Sequence, residues 1–243
     1  MSGHAGLVKR NHWVVRLTHW LNVIALPLMI GSGLRIFNAH PSFSRPGEGK
    51  FPLNPWDGHP VPDWLTFGRW LGGARHWHFG VMWLLVLNGL VYVSFLWLHG
   101  EWRDVVPRRH DARDALEMAK FYLFLRKEHP HQGKHNALQR GTYFMMPVLG
   151  ALIVLSGIAI WKPVTLGFLT VLFVNYKWAR VVHFGSMLAL VLLAIVHVIM
   201  VFAVDPYSLR SMITGWYNPK LSPEARNARP FTNRLPPSEE TAA

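Results

Sequence analysis

The chain contains no cysteine. That absence excludes disulfides, thiolate-bound iron–sulfur clusters and covalently attached c-type haem. Any redox centre must then use histidine, methionine or a bound organic group; the missing cysteine says nothing about compartment. Charge is scarce too: 16% of the 243 residues are charged, with 13 acidic residues against 25 Lys and Arg and a net charge of +12. Four stretches, Leu17–Leu34, Phe79–Leu98, Gly141–Trp161 and Val181–Val204, hold no Asp, Glu, Lys or Arg. A hydrocarbon core of about 30 Å needs about 20 apolar helical residues to cross it, and each stretch is close to that length. A cleavable signal pattern is also lacking, since the first apolar run is long enough to span and shows no clear small-residue cleavage site.

What is present predicts an all-α, integral membrane four-helix bundle. Its spans run at about residues 11–37, 76–98, 138–161 and 178–204, with Pro27 a tolerated kink in the first. They form one domain, residues 1–217, followed by a Pro-rich polar tail, 218–243, expected to be loosely ordered. Trp13, Trp20, Trp77, Trp97, Trp161 and Trp178 mark the span ends, as membrane interfaces favour. The basic residues lie in the loops between spans rather than on one face of a soluble domain, so they read as topogenic charge and not as a nucleic-acid footprint. Counting them by side places 17 Lys and Arg with the two termini and the 99–140 loop, and 8 on the opposite side. The excess puts both termini in the cytoplasm and the 38–75 loop outside. Residues 163–176 are uncharged but too short to span, and are expected to form a surface or re-entrant segment. A short helix is expected around Asp111–Arg126, at the cytoplasmic surface. No internal repeat and no second folded domain are evident from the sequence.

Of 14 histidines, His19, His78, His183 and His197 fall inside the spans or at their first turn. His183 and His197 are 14 residues apart on one predicted helix. That is about 3.9 turns and about 21 Å of rise, so both rings leave nearly the same face near opposite membrane surfaces. His78 is level with His183 on the outer side, and His19 with His197 on the inner side. Unpaired polar side chains are costly in hydrocarbon and point to function. Two bis-histidine haem sites would satisfy all four imidazoles, whereas zinc more often takes three or four clustered ligands, usually including carboxylate or thiolate. His76 lies two residues from His78 and faces another way, so only one of the two can serve.

Arg16, Arg75 and Arg180 each precede one of these histidines by three residues, on the same helix face and nearer the membrane surface. They are candidate partners for haem propionates, or interfacial arginines that snorkel and set topology. Gly33 and Gly89 follow His19 and His78 by 14 and 11 residues. Each lies within about 40° of the same face and would leave room beside the haem of the other pair.

At these residues the sequence resembles the prokaryotic di-haem cytochrome b membrane subunits. That group includes the gamma subunit of respiratory formate dehydrogenase, the cytochrome subunit of nickel–iron hydrogenases, and the cytochrome b partners of thiosulfate reductases and sulfite-oxidase-like molybdenum enzymes. The carrying motifs are Arg16-Leu17-Thr18-His19-Trp20, Trp77-His78-Phe79, His135-Asn136-Ala137-Leu138-Gln139, Ser156-Gly157 through Lys162-Pro163, and Arg180-Val181-Val182-His183-Phe184 with His197. The resemblance runs from about Asn11 to Gly215. Trp77-His78-Phe79 and the Leu209–Gly215 segment bring it nearest the molybdoenzyme-associated members.

The resemblance implies a multi-pass protein of the prokaryotic inner membrane with two b haems, the outer on His78 and His183 and the inner on His19 and His197. It also implies a quinone, menaquinone or ubiquinone, bound beside the inner haem near Asn136 and Gln139; read alone, those residues could simply start helix three. The expected function is an electron-transfer subunit with no substrate chemistry of its own. It would relay electrons between the quinone pool and an outer, periplasmic redox subunit, a molybdopterin oxidoreductase. Two rivals make different demands: a stand-alone membrane quinone oxidoreductase needs no partner, and a metal or haem transporter would place its histidines along a midplane path.

Overall fold

In the computed structural model the described residues are 6–43, 58–128, 130 and 136–222. His135, residues 44–57 of the 38–75 loop and all of the tail beyond residue 222 lie outside them. The described residues are mostly helical. The helices are α1 (Trp13–Phe37), α2 (Leu71–Leu98), α3 (Trp102–Val105), α4 (Asp111–Tyr122), α5 (Ala137–Trp161), α6 (Gly167–Leu172), α7 (Tyr176–Ala203) and α8 (Pro206–Thr214). Four of them, α1, α2, α5 and α7, are long and apolar enough to cross a membrane. A helix is the only single-chain element that satisfies every backbone group inside hydrocarbon. The apolar side chains it then shows outward, such as Leu87, Leu90, Leu192, Ile195 and Phe202, are exposed, as lipid-facing residues are.

The span boundaries agree with the sequence to within two residues except at α2. That helix begins at Leu71 rather than near residue 76. Arg75 and His76 do not stop it, because both are exposed and need no burial. The 163–176 segment contains the short α6, with Val164, Phe168, Val171 and Val174 all exposed. The loop helix expected over Asp111–Arg126 is α4, which ends four residues sooner. Phe124, at φ 62°, takes a left-handed conformation that no helix continues.

The chain divides into two compact units, and each long helix contributes to both. The first unit comprises Met1–Leu17, Phe95–Met146 and Val191–Ala243. There β1 (Val8–Lys9) pairs antiparallel with β2 (Trp216–Tyr217), tying the two ends of the described chain together. Gly215, at φ 89°, supplies the left-handed cap that ends α8, and its carbonyl accepts from the Arg10 amide at 2.9 Å. Tyr217 donates to Asp205 at 3.0 Å with Arg10 over its ring at 4.3 Å. Burial and the neighbouring carboxylate push the Tyr217 phenol well above its ordinary range, so it stays protonated. α4 is fastened to α5 by the buried Asp111–Arg140 ion pair, and Asp111 also accepts from the Arg108 amide at 2.9 Å. The Arg140 guanidinium outweighs burial and holds the Asp111 carboxyl down at about 2.

The second unit comprises Thr18–Ser94 and Pro147–Leu190. Its fully buried polar side chains are neutral, while Arg35 of α1 pairs with the exposed Asp63 at 2.7 Å. Buried Asn88 of α2 donates to the Thr18 carbonyl and to the Asn22 side chain of α1, both at 2.8 Å. Aromatic packing closes one end: Phe37 lies 4.8 Å from Phe184, and Phe79 lies 5.3 Å from Trp161.

Candidate functional site

All four long helices meet within the second unit around two imidazoles. His78 of α2 and His183 of α7 face each other with ring centres 6.3 Å apart and planes at 65°. His76 points elsewhere: it is exposed and its Nδ1 lies 2.8 Å from its own helix's Gly72 carbonyl. The ambiguity between the two positions therefore resolves geometrically, with His78 the one that faces His183.

Each ring is held by a neighbouring helix through a serine. Ser32 of α1 lies 3.1 Å from His78 Nδ1, and Ser156 of α5 lies 3.2 Å from His183 Nδ1. His183 Nδ1 is also 2.9 Å from the Ile153 carbonyl. A carbonyl can only accept, as can a serine oxygen whose hydrogen is given elsewhere, so Nδ1 carries the proton on both rings and each Nε2 keeps its lone pair. The serine hydroxyls spend their own hydrogens on carbonyls one turn back, Ser32 on Leu28 at 2.6 Å and Ser156 on Leu152 at 2.5 Å. The serine oxygens are thus left to accept from the imidazoles.

Glycine follows each serine. A Cβ on Gly33 would sit 3.3 Å from His78 Cε1, and one on Gly157 would sit 3.1 Å from His183 Cε1. Both rings therefore press on bare backbone. The expectation that Gly33 lies beside the His78–His183 site agrees with this contact. Gly89, in contrast, meets nothing within 4 Å.

Two neutral imidazoles with protonated Nδ1 and available Nε2 form a donor set suited to one metal between them. A metal–nitrogen bond of about 2.0–2.1 Å plus about 1.1 Å to each ring centre gives about 6.2–6.4 Å between centres. The observed 6.3 Å matches that value. No group of three or more His, Cys, Asp or Glu occurs among the described residues. A four-coordinate zinc site is thus not supported, whereas haem, which brings four nitrogens of its own, needs just two.

The other expected site residues fall as follows. His19 lies on α1 in the second unit, edge-on to Trp20 at 5.5 Å. His197 lies on α7 in the first unit, so neither unit alone contains that pair. Arg180 donates to the His40 carbonyl at 3.0 Å and lies over the Phe43 ring at 5.4 Å. Arg16 donates to the Ile213 carbonyl, and its Nε is buried with no hydrogen-bond partner among the described residues. Arg75 is exposed. Asn136 and Gln139 cap α5 reciprocally: Asn136 accepts from the Gln139 amide at 2.8 Å, and Gln139 accepts from the Asn136 amide at 3.1 Å. Asn136 also reaches the Tyr122 hydroxyl at 3.4 Å.

Ser32, Ser156 and Gly157 escape a search for ligands because none can bind haem iron itself. One signal was available in the chain: Ser-Gly occurs on two spans and Arg-x-x-His-Phe-Gly on the other two, as Arg75–Gly80 and Arg180–Gly185. The repeat is a few residues long and is separated by unequal loops, so the contacts make it visible.

Four membrane-crossing helices around a facing pair of imidazoles define a membrane cytochrome of the b type. The chain belongs to the prokaryotic cytochrome b561 family, whose pattern it matches over residues 10–215. It is 40% identical over 204 residues to a protein of Azospira oryzae named "Putative protein-methionine-sulfoxide reductase subunit YedZ1", covering 83% of this chain and 93% of that one. Membership makes it a multi-pass membrane protein of haem-based electron transfer.

Proposed function

We propose that this chain is the di-haem membrane subunit of a reductase, carrying electrons from membrane quinol to a catalytic subunit on the outer face. The observation that carries the reading is the His78–His183 pair, at a separation suited to one iron and with both Nε2 lone pairs available. Haem bound there would supply one-electron exchange at its iron. His78 and His183 would hold the outer haem, and His19 and His197 the inner one, the latter on the sequence spacing. The similar protein's name assigns it to a sulfoxide reductase, which favours outward electron flow from quinol.

The chain's own residues have distinct parts in this scheme. Ser32, and Ser156 together with the Ile153 carbonyl, keep His78 and His183 in the tautomer that leaves Nε2 to the metal. Arg16, Arg75 and Arg180 would face the propionates, with the partnerless Nε of Arg16 one donor suited to an anion. Asn136 and Gln139 would orient the quinone, menaquinone or ubiquinone, at the start of α5. Both termini would lie in the cytoplasm and the 38–75 loop outside, in the inner membrane of a prokaryotic cell. The catalytic partner would be a molybdopterin oxidoreductase docked on that loop and on residues 163–180.

The test uses the purified full-length chain in detergent or nanodiscs. A reduced-minus-oxidised spectrum should show b-type haem, and a reduced quinol analogue should reduce it, more slowly in Asn136→Ala. Haem that a quinol cannot reduce would overturn the quinone assignment. A chain that folds and binds no haem would overturn the reading entirely.

A further inference from the structure

We infer that Ser32 and Ser156 are positioning residues that act as a matched pair, each lending a hydroxyl oxygen to the Nδ1–H of one axial imidazole and so setting the electron density on both ligands of the same iron. The inference rests on the proposed haem reading of His78 and His183, and it adds residues that touch neither iron nor substrate.

The geometry is duplicated to within a few tenths of an ångström. Ser32 Oγ lies 3.1 Å from His78 Nδ1 and Ser156 Oγ lies 3.2 Å from His183 Nδ1. Each hydroxyl hydrogen is directed to the carbonyl four residues back, at 2.6 Å and 2.5 Å, with a second carbonyl three residues back at 3.2 Å in both cases. Both side chains are completely buried, so no solvent competes for their lone pairs. Gly33 and Gly157 complete the device. Their missing Cβ atoms let the rings approach to where the next side chain would otherwise stand, at 3.3 Å and 3.1 Å.

The chemical consequence has a definite sign. The His78 Nδ1–H faces the Ser32 oxygen, and the His183 Nδ1–H faces the Ser156 oxygen and the Ile153 carbonyl. Hydrogen bonds accepted from the distal nitrogen of a ligating imidazole raise its basicity. A more basic axial ligand favours the more positively charged, oxidised iron and lowers the reduction potential. Removing the Ser156 oxygen leaves the Ile153 carbonyl to fix the tautomer of His183, and removing either serine oxygen lowers the basicity of its imidazole. Because the serines act on the two imidazoles that would share one metal, their effects should be alike in sign and should add.

The full-length chain loaded with haem decides the matter by potentiometric titration of Ser32→Ala, Ser156→Ala, the double variant, and Ser32→Thr and Ser156→Thr. At the wild-type midpoint, where half of the haem held by His78 and His183 is reduced, each alanine variant should be more than half reduced. The double variant should exceed both. The threonine variants, which restore a hydroxyl, should return towards half, and the second haem should titrate as before. Full haem content with an unmoved midpoint in the double variant would overturn the inference and leave the haem reading standing. Loss of haem from both alanine variants but not from the threonine variants would support a hydroxyl held on the ligand. Wild type without haem would overturn the haem reading and this inference with it.

Discussion

The two units solve the problem of buried polarity in opposite ways. In the first, charges are paired: Asp111 with Arg140, both almost fully buried, and Asp205 with Arg10 at 3.6 Å beside Tyr217. In the second, the fully buried polar groups are neutral, among them Ser32 and Ser156 beside the imidazoles and Asn88 bonded to Thr18 and Asn22, and the Arg35–Asp63 ion pair at 2.7 Å has an exposed carboxylate. An ion pair fixes elements firmly but is punished heavily when one partner is lost. A neutral contact costs less to keep in an apolar interior and leaves the ligand's charge state unchanged. The difference teaches that holding the fold and holding the redox site fall to separate sets of residues.

Arg140→Ala should break the comparison most severely. It strands the Asp111 carboxylate, whose side chain is 10% exposed. The expected loss is towards the lower end of about 3–5 kcal/mol, read as a fall in Tm with the haem spectrum of surviving protein unchanged. A spectrum that altered along with Tm would show that the two functions are not separate. Next in size is the neutral side. Gly157→Ala should disturb the haem held by His78 and His183 more than Gly33→Ala does, since its Cβ would lie closer to an imidazole, 3.1 Å against 3.3 Å. The difference should appear in low-spin signals or haem occupancy rather than in Tm, and the reverse order would count against the contacts described here.

Acid should sharpen the same contrast. The Asp111 carboxyl is held at about 2 in the fold, below the ordinary value of about 3.9. Its contribution to stability is therefore complete above about pH 4 and disappears as pH falls towards 2. Wild type should lose its stability advantage over Asp111→Asn across that interval, followed by thermal melts in buffers from pH 5 to pH 2. A gap that persisted at the acid end would contradict the pairing. The smallest effect is expected from His76→Ala. His76 is exposed and bonds within its own helix, so neither haem content nor midpoint should change.

Much of this was readable in the sequence, for a physical reason. A bilayer demands uninterrupted apolar helices, so the spans showed themselves by the absence of charge, and histidine stood out as the polar residue in search of a partner. The pairing of His78 with His183 followed from depth alone. The α2 start at Leu71 was harder to place, because Gly72, Gly73, Arg75 and His76 look like a loop and helix formation there depends on what the turn meets. Ser32 and Ser156 were hidden for another reason. Serine in a membrane helix ordinarily bonds its own backbone, as both do, and the second bond to an imidazole depends on a neighbouring helix that composition cannot supply. Asn136 and Gln139 show the converse: their spacing allowed a simple helix start, and their reciprocal cap is one.

Counting haem per chain tests the account most directly. Pyridine haemochrome assay of the purified wild type should give two b haems, and His78→Ala and His183→Ala should each give one, with the same haem lost in both. Two haems retained in either variant, or folded wild type with no porphyrin at all, would contradict the claim that these facing rings grip an iron.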